Sequence, residues 1–498
     1  MMTRAETSRG RARGAIGAAA AALLAGCAVG PDFQRPAAPT VDRYLPAPLP
    51  AKTAPARGED LQGFAAGATV DGRWWTLFGS PALDALEDEA LRRNADLAAA
   101  RAALRQAHEL YLAQRASRFP TVQLSTNAAR TKNSDTLASP LSSNAQTYSL
   151  YAAQLDIAYV LDVFGGQRRQ TETLAAQAEA QKFQVAAAYV ALTSNVAGAV
   201  LQIAALKSQL ATTTSVIAAN RRMLEITRRR QSLGEASALD VAGAESALEQ
   251  AEQPVPGLQK QLGQLNDLLA IYLGRPPAEA ELLQLDLTAF RLPAELPVSL
   301  PSTLVRQRPD VRAAEANLHA ASAQVGVAMA ARLPSFTLDG SLGGNSTALS
   351  SLFSSANSLW SIGGSASQSV FDAGALRHQQ RAAEAGLAQA QEQYRAAVLA
   401  ALQNTADALQ AIVFDAETLR HAALASDAAS RSSSLSRAQF EHGEVDALTA
   451  LNAEAAADQA QLALIQARAA RYTDTVALLQ ALGGGWWNTA EASGEERR

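Results

Sequence analysis

Few side chains in this sequence of 498 residues have the type and spacing that a reaction would need. Cys27 is the only cysteine, and the five histidines lie far downstream of it, so a nucleophilic thiol would have no evident base. The patterns HExxH, G-x-S-x-G and the P-loop are absent, as is any cluster of cysteine and histidine. Glu235 and Asp240 are carboxylates close in sequence, but a turn and a helix cap explain them better. The sequence therefore predicts a protein that is not an enzyme and that uses no metal or cofactor.

The residues before Cys27 have the order of an export signal. Four arginines between positions 4 and 13 precede a short apolar run that ends in small residues. This run is shorter than the stretch of about 20 apolar residues that crosses a bilayer. A buried alanine-rich helix is the other interpretation, but it leaves the arginines unexplained. We therefore predict a signal peptide over residues 1–26.

Cys27 itself is best explained as a site of lipid attachment. A single thiol cannot form a disulfide within the chain, and Leu24-Ala25-Gly26-Cys27 resembles the bacterial lipobox. The resemblance implies S-diacylglycerol and N-palmitoyl groups on Cys27, and more than one acyl chain gives stable anchoring. Ala28 stands where lipoproteins of the inner membrane usually have aspartate, so the resemblance implies the outer membrane. The proline-rich stretch in residues 27–72 is predicted to be an extended, lipid-anchored tether.

The composition and internal repeats of the sequence indicate how the rest of the chain is organised. The net charge is −4, which gives no indication of a nucleic-acid partner. "ADLAAARAAL" from Ala95 aligns with "PDVRAAEANL" from Pro309, and "RFPTVQLS" from Arg118 aligns at the same offset with "RLPSFTLD" from Arg332. Such matches predict a duplicated chain. The predicted segments are a first repeat over 73–275, a linker over 276–300, a second repeat over 301–483 and a C-terminal tail over 484–498.

Each repeat has the same predicted order of helices. A first helix (Pro81–Ser117 or Ser302–Ala331) and two strand-like runs precede a long helix (about Gln167–Ser232 or Ala375–Phe440), a turn at Gly234 or Gly443, and a returning helix that ends at Gly274 or Gly483. At 1.5 Å per residue, each long helix would be about 90–100 Å long. Apolar positions that recur every seven residues, such as Leu448, Ala455 and Leu462, predict a left-handed coiled coil. Pro254 and Pro256 are expected to kink or break the first returning helix. No run after the signal peptide is expected to reach the length of a transmembrane helix.

The strand-like runs alternate between apolar and polar residues. The apolar positions include Val122, Leu124, Tyr151, Leu155, Ile157, Tyr159, Phe336, Leu338, Leu342, Trp360 and Ile362, and the polar positions include Gln123, Gln154, Asp156, Asp339 and Ser361. This alternation is typical of strands in a transmembrane barrel, although a half-buried strand of a soluble sandwich has it too. We expect hairpins over about 119–165 and 333–372, with exposed loops over Asn127–Ser142 and Asn345–Asn357.

The number of strands decides between these interpretations. Four strands cannot close a barrel around a lumen, and open edges in lipid would leave main-chain groups unsatisfied. Other copies of the chain must therefore complete the barrel. The predicted fold class is mainly α with a small β part: a long α-helical coiled-coil barrel and a transmembrane β-barrel, each shared between copies.

Several blocks of the sequence resemble one known family, the outer-membrane lipoprotein channels of tripartite efflux systems, of the TolC-like or nodulation-protein-T type. These blocks are "CAVGPDFQRP", "LDVFGGQRRQ", "ASALDVAGAES", "LGRPP", "LPSTLVRQRPDVRAAEANLHAASAQVGVAMAARLPSFTLDGSLG", "VFDAGALR" and "LGGGWW". The resemblance implies a homotrimer with a twelve-stranded barrel in the cell outer membrane and a long periplasmic tunnel. It also implies a periplasmic adaptor and an inner-membrane pump of the RND type as partners.

The implied function is that of a passive, gated duct that exports small molecules, drugs or toxic compounds among them. The exported substrate stays open, because drugs, aromatic acids, fatty acids and metals are all compatible with the sequence. A coiled-coil lipoprotein that bridges the layers of the envelope without a pore is the alternative. Such a protein would have no use for four alternating strands.

The resemblance also implies a gate. Gly234 and Gly443 would lie at the periplasmic tip, and Leu448 and Asn452 hold the places where the family has a constriction. Three copies of Leu448 would form a hydrophobic ring that resists the passage of ions. Asn452 replaces the usual aspartate, which leaves an acidic ring in doubt. The other interpretation is that Leu448 is an ordinary member of its heptad row.

Overall fold

A computed structural model describes residues 28–55, 61–139, 141, 143–279 and 283–489, so Cys27 lies outside the described residues. The chain is mainly helical. The helices are α1 (Pro81–Arg93), α2 (Ala95–Ala116), α3 (Gly166–Ser232), α4 (Ala238–Glu252), α5 (Val255–Tyr272), α6 (Pro301–Gln307), α7 (Pro309–Ala330), α8 (Ala375–Glu441) and α9 (Ala447–Ala481). The strands are β1 (Gly63–Ala66), β2 (Thr121–Lys132), β3 (Thr147–Leu161), β4 (Glu295–Val298), β5 (Ser335–Ser346) and β6 (Ser358–Ser367).

The chain divides into two compact units. Among the described residues, the first unit contains those of the segments 28–36, 104–181 and 314–394, and with them the strands β2, β3, β5 and β6. The second unit contains the described residues of the segments 37–103, 182–313 and 395–489, and with them the short parallel pair of β1 and β4. The long helices α3 and α8 each contribute residues to both units.

The sheet of the first unit is antiparallel, with the strand order β2-β3-β5-β6. Leu124, Leu155, Leu342 and Trp360 oppose one another along one row of the sheet, and Gln123, Asp156, Ser341 and Ser361 oppose one another along the next row. Because successive residues of a strand point to opposite faces, the two rows lie on opposite faces. The sheet therefore has one apolar face, with Leu124, Leu342 and Trp360 exposed, and one polar face.

The strands continue further than the sequence predicts. Asn127 pairs with Ala152 and Lys132 pairs with Thr147, so β2 includes the first six residues of the predicted loop. Strand β5 likewise extends to Ser346. Main-chain pairing outweighs the turn preference of these polar residues, and the hairpin loops are shorter than expected.

Each predicted first helix is two helices. The predicted helix Pro81–Ser117 is interrupted at Asn94, whose backbone is extended and whose Oδ1 accepts a hydrogen bond of 2.9 Å from the Leu97 amide, as a helix N-cap does. The predicted helix Ser302–Ala331 is interrupted at Arg308. The ring of the following Pro309 disfavours the helical conformation at the residue before it, and Arg308 is extended.

The two returning helices differ. The first is interrupted at Gln253 and Pro254, between α4 and α5, as the proline predicts. The second, α9, is continuous over 35 residues. Both long helices contain an 18-residue window whose length and composition would suit a membrane span, with mean hydropathy of 1.5 in α3 and 1.3 in α8. This corrects the expectation that no such run follows the signal peptide, but 67% of the α3 window is buried within the protein, as in a packed helix.

Candidate channel aperture

Two glycine turns join the long helices to their returning helices in the second unit. Gly234 and Gly443 have φ angles of 79° and 78°, in the left-handed region that glycine adopts without strain. Main-chain hydrogen bonds of 2.8 Å from Glu235 to the Arg230 carbonyl and from Glu444 to the Gln439 carbonyl close the ends of α3 and α8. The two turns therefore have the same backbone conformation, and the positive φ angle favours glycine at both positions.

Side-chain caps begin the helices after both turns. The Ser237 hydroxyl accepts a hydrogen bond from the Asp240 amide, and the Asp240 carboxylate accepts one from the Ser237 amide. The bonds from Ser237 lower the pKa of Asp240. Asp446 caps α9 by accepting a hydrogen bond of 2.8 Å from the Thr449 amide. Asp240 is thus a helix cap, as the sequence indicates.

One hydrophobic core joins the residues around the two turns. This turn core consists of Met223, Leu224, Ala244, Phe440, Ala447, Ala450 and Leu451. Arg230 connects α3 to α8 beside it, because its Nη2 donates a hydrogen bond of 2.7 Å to the Phe440 carbonyl and its guanidinium lies 4.2 Å from the centre of the Phe440 ring. The ends of both hairpins are therefore packed as one structure.

Leu448 and Asn452 lie on the face of α9 that points away from the turn core. Leu448 is 60% exposed and Asn452, one helical turn later, is also exposed. Ala455, in the same heptad row, is exposed as well, and Leu462 is half-buried. Packing among the described residues of one chain therefore does not account for Leu448.

A polar groove between α3, α8 and α9 was not identified from the sequence. It has a volume of about 540 Å³, and its wall includes Arg437, Glu454 and Asp458. Glu454 is buried and accepts a hydrogen bond of 2.8 Å from Arg437 Nη2. Burial, and next to it the charge of Glu454, raises the pKa of Asp458 to about 6. The sequence does contain a signal for this site, since Asp458 falls within the otherwise apolar row Leu451, Ile465, Tyr472 and Leu479.

Among the described residues, no group of three or more His, Cys, Asp or Glu side chains is placed to hold a metal ion. The arrangement consists of packed helix ends, capped turns and exposed side chains on one face of α9.

The two-faced sheet and the long helices agree with the features that the resemblance to outer-membrane channels implies. The model of the family described as "Outer membrane efflux protein" matches residues 86–275 and 300–484, and the chain belongs to this family. It is 30% identical over 445 residues to the pyoverdine export outer membrane protein OpmQ of Pseudomonas aeruginosa, across 89% of this chain and 93% of that protein. It is also 30% identical over 474 residues to outer membrane protein OprJ of the same species, across 94% of each chain.

Solved structures agree with this assignment. The outer-membrane channel OprN has a TM-score of 0.81 and 31% identity, over 92% of this chain and 100% of that one. The CmeC channel of Campylobacter jejuni has a TM-score of 0.84 at 20% identity, over 95% and 98% of the two chains, and shows the shared fold. The protein is therefore an outer-membrane component of an efflux system. The comparisons support a channel and give no support to a structural lipoprotein without a pore.

Proposed function

We propose that three copies of the chain form a passive, gated efflux duct, with one shared twelve-stranded barrel in the outer membrane and one shared helical tunnel in the periplasm. The sheet of the first unit carries this proposal. Its apolar face is exposed, and its outer strands β2 and β6 have no partner strand at their outer edges among the described residues. In lipid such edges must be paired. Edge-to-edge pairing with two further copies satisfies them and directs the polar row inward.

The exposed surface of α8 supports the same assembly. Only 28% of its apolar window is buried within the chain, against 67% for α3. A surface of this kind is covered when helices of neighbouring copies pack along a heptad seam. The duplicated order of elements would then give each copy two similar hairpins in the wall of the tunnel.

The turns at Gly234 and Gly443 are proposed to form the periplasmic tip, where Leu448 makes a hydrophobic ring and Asn452 a neighbouring polar ring. A periplasmic adaptor and an inner-membrane pump of the RND type would engage the duct and supply the energy. Relatives are named for different cargo, such as pyoverdine and toluene. The proposed substrates are therefore small molecules of the drug or toxic-compound kind, with no narrower class.

Cys27 is proposed to carry S-diacylglycerol and an N-palmitoyl group after removal of residues 1–26. The lipobox resemblance and the absence of any other thiol in the sequence support this modification. Intact mass of the protein from membranes, with Cys27→Ser as control, tests it. An unmodified Cys27 would contradict it.

The test of the duct is the oligomeric mass and single-channel conductance of the purified protein in planar bilayers. We expect a trimer that forms pores. Ile157→Arg places a charge on the apolar face and should destabilise the inserted trimer by roughly 2–4 kcal/mol if the residue lies near the bilayer midplane. Ala158→Arg, on the opposite face, is the matched control. A monomer without pores, or equal trimer levels for both variants, would contradict the proposal.

A further inference from the structure

Three of the sequence blocks that carry the family resemblance meet at one place in the first unit. They are the segment after Cys27 (Val29–Pro36), the start of α3 (Gly165–Glu172) and the middle of α7 (Glu315–Gly326). The proposed duct assigns no role to this meeting point. The contacts centre on Arg169.

Arg169 binds the segment with almost its whole guanidinium group. The residue is only 5% exposed. Its Nε donates to the Val29 carbonyl at 3.2 Å, and its Nη2 donates to the Gly30 carbonyl at 3.4 Å and to Asp32 Oδ1 at 2.7 Å. Its Nη1 donates to Glu172 Oε2 at 2.8 Å. Burying a guanidinium is costly unless its donors are paired, and here three of the bonds go to the N-terminal segment.

Phe33 of the segment packs against a second group of residues, Glu172 and His319. His319 Nε2 lies 2.8 Å from Glu172 Oε1, so that Glu172 connects Arg169 to the imidazole. The imidazole stacks on the Phe33 ring, with centroids 4.4 Å apart and planes inclined by 14°. Burial opposes the charge of Glu172, but its hydrogen bonds with His319 and Arg169 outweigh burial and lower its pKa. The carboxylate therefore stays charged where it orients both partners.

Close backbone contacts complete the site. Gly30 has a φ of 98°, and a Cβ there would overlap the Cα of Gly326. A Cβ on Gly165 would lie 2.6 Å from the Cβ of Ala28, and the Val29 amide donates to the Phe164 carbonyl at 3.1 Å. These contacts hold Ala28 against the short connection between the end of β3 and the start of α3.

We propose that this Arg169 site is the docking site for the chain's own N-terminal segment (Val29–Pro36), and that this segment, held against the β3–α3 connection, links the sheet to a lipid carried by Cys27. The second part of the inference rests on the proposed lipid on Cys27. We call this segment the strap, because it connects the lipid anchor to the sheet. Without the Arg169 site, the lipid would be attached to a segment that is not bound to the rest of the protein.

A nitroxide on Gln34→Cys tests the docking. Gln34 is exposed within the strap, and an acylated Cys27 offers no thiol to the label. In the full-length protein in membranes, the electron paramagnetic resonance spectrum should show a restricted label. Arg169→Met should make most of the signal mobile, and Arg169→Lys, which keeps the charge but loses the fork of donors, should lie between them.

A milder substitution keeps the proposal testable if the Arg169 variants fail to fold. The Asp32 side chain is 91% exposed, so Asp32→Asn weakens the strap without disturbing the buried side of the site. It should raise the mobile fraction several-fold, whereas Asp42→Asn, at an exposed aspartate outside the site, should leave it unchanged. A mobile label in the parent protein would overturn the docking proposal. So would unchanged spectra in both Arg169→Met and Asp32→Asn.

The same samples separate the docking proposal from the lipid proposal. Intact mass reports whether Cys27 is acylated and whether one or two thiols took up the label. An unmodified Cys27 would overturn the anchor part of the inference and the lipid proposal. The spectrum, recorded then in a Cys27→Ser background, still decides whether Arg169 holds the strap.

Discussion

The two turn regions of the second unit have several corresponding residues, yet the environments of these residues differ. Arg228 and Glu245 are 17 residues apart and form an ion pair of 2.7 Å; Arg437 and Glu454 are also 17 residues apart and form one of 2.8 Å. The side chain of Glu245 is 49% exposed, whereas that of Glu454 is 7% exposed. The same pair is therefore a surface contact in the first turn region and a buried contact in the second.

The apolar positions of the two regions also correspond. Leu239 follows Gly234 at the same distance along the chain as Leu448 follows Gly443, and both leucines are exposed, by 80% and 60%. The break at Pro254 shortens the first returning helix, while α9 continues past Asp458. The comparison indicates that the two regions share a turn conformation and an ion pair, and that a buried charge distinguishes the second region. The corresponding residues of the first region can therefore serve as controls for substitutions in the second.

The largest expected difference is at the ion pairs. Arg437→Met leaves the buried Glu454 carboxylate without its cation, which should cost about 1–3 kcal/mol of stability. Arg228→Met removes an exposed pair and should change stability by less than about 0.5 kcal/mol. Thermal unfolding of the two purified variants measures the difference. Equal shifts in Tm would show that burial of Glu454 does not matter.

A smaller difference is expected in the dependence of stability on pH. The pKa of Asp458 is raised from 3.8 to about 6, first by burial and then by Glu454. Between these values the unfolded chain has lost the proton that the folded chain retains, so the native state loses stability as the pH rises from 3.8 to about 6 and stays penalised above it. Because the group is only half-buried, the effect should be about 1 kcal/mol.

Asp458→Asn removes this penalty. Its Tm should exceed that of the parent at pH 7.5, and the advantage should vanish near pH 4. Glu249→Gln, the matched change at an exposed position of the first region, is the control. A constant difference in Tm across this range would mean that Asp458 titrates normally.

The next comparison concerns the passage itself. If Leu448 lines the constriction, Leu448→Ala should raise the conductance of the purified oligomer several-fold, because a hydrophobic ring resists ions. Leu239→Ala and Leu462→Ala are controls, the first at the matched position and the second further along the same heptad row. Equal effects at Leu448 and Leu462, or none, would leave Leu448 as an ordinary packing residue between copies.

Much of this framework could be predicted from one sequence, because it is repetitive. Seven-residue spacing and the glycines at 234 and 443 predict the long helices and their turns to within a few residues. Alternation predicts the two faces of the sheet, which the strand register bears out. The break at Asn94 depends on a single helix cap, and the break at Arg308 depends on the single proline that follows it. Both lie inside patterns that are otherwise strongly helical, so the periodicity predicts one continuous helix in each case.

Contacts between distant segments could not be predicted in the same way. Asp32 and Arg169 are 137 residues apart, and neither residue type nor spacing marks them as partners. Similarly, a heptad row identifies a face of α9 but not which surface covers it. The buried state of Glu454 depends on the positions of α3 and α8, which no local pattern encodes.

The smallest expected effect tests the remaining difference between the two regions, at Asn452 and its counterpart Gly243. Asn452 is exposed one turn after Leu448. If three copies surround the constriction, Asn452→Asp places three carboxylates in one ring, and divalent cations should block the conductance at lower concentration than in the parent. Gly243 is exposed and a Cβ there meets nothing within 4 Å, so Gly243→Asp adds the same charge to the first region without steric cost. It should leave the block by Mg²⁺ or Ca²⁺ unchanged. If both aspartates increase the block equally, the effect reflects the surface charge of the whole region; if neither does, Asn452 lies away from the path of the ions, and the narrowest point of the duct must be sought at other residues of α9.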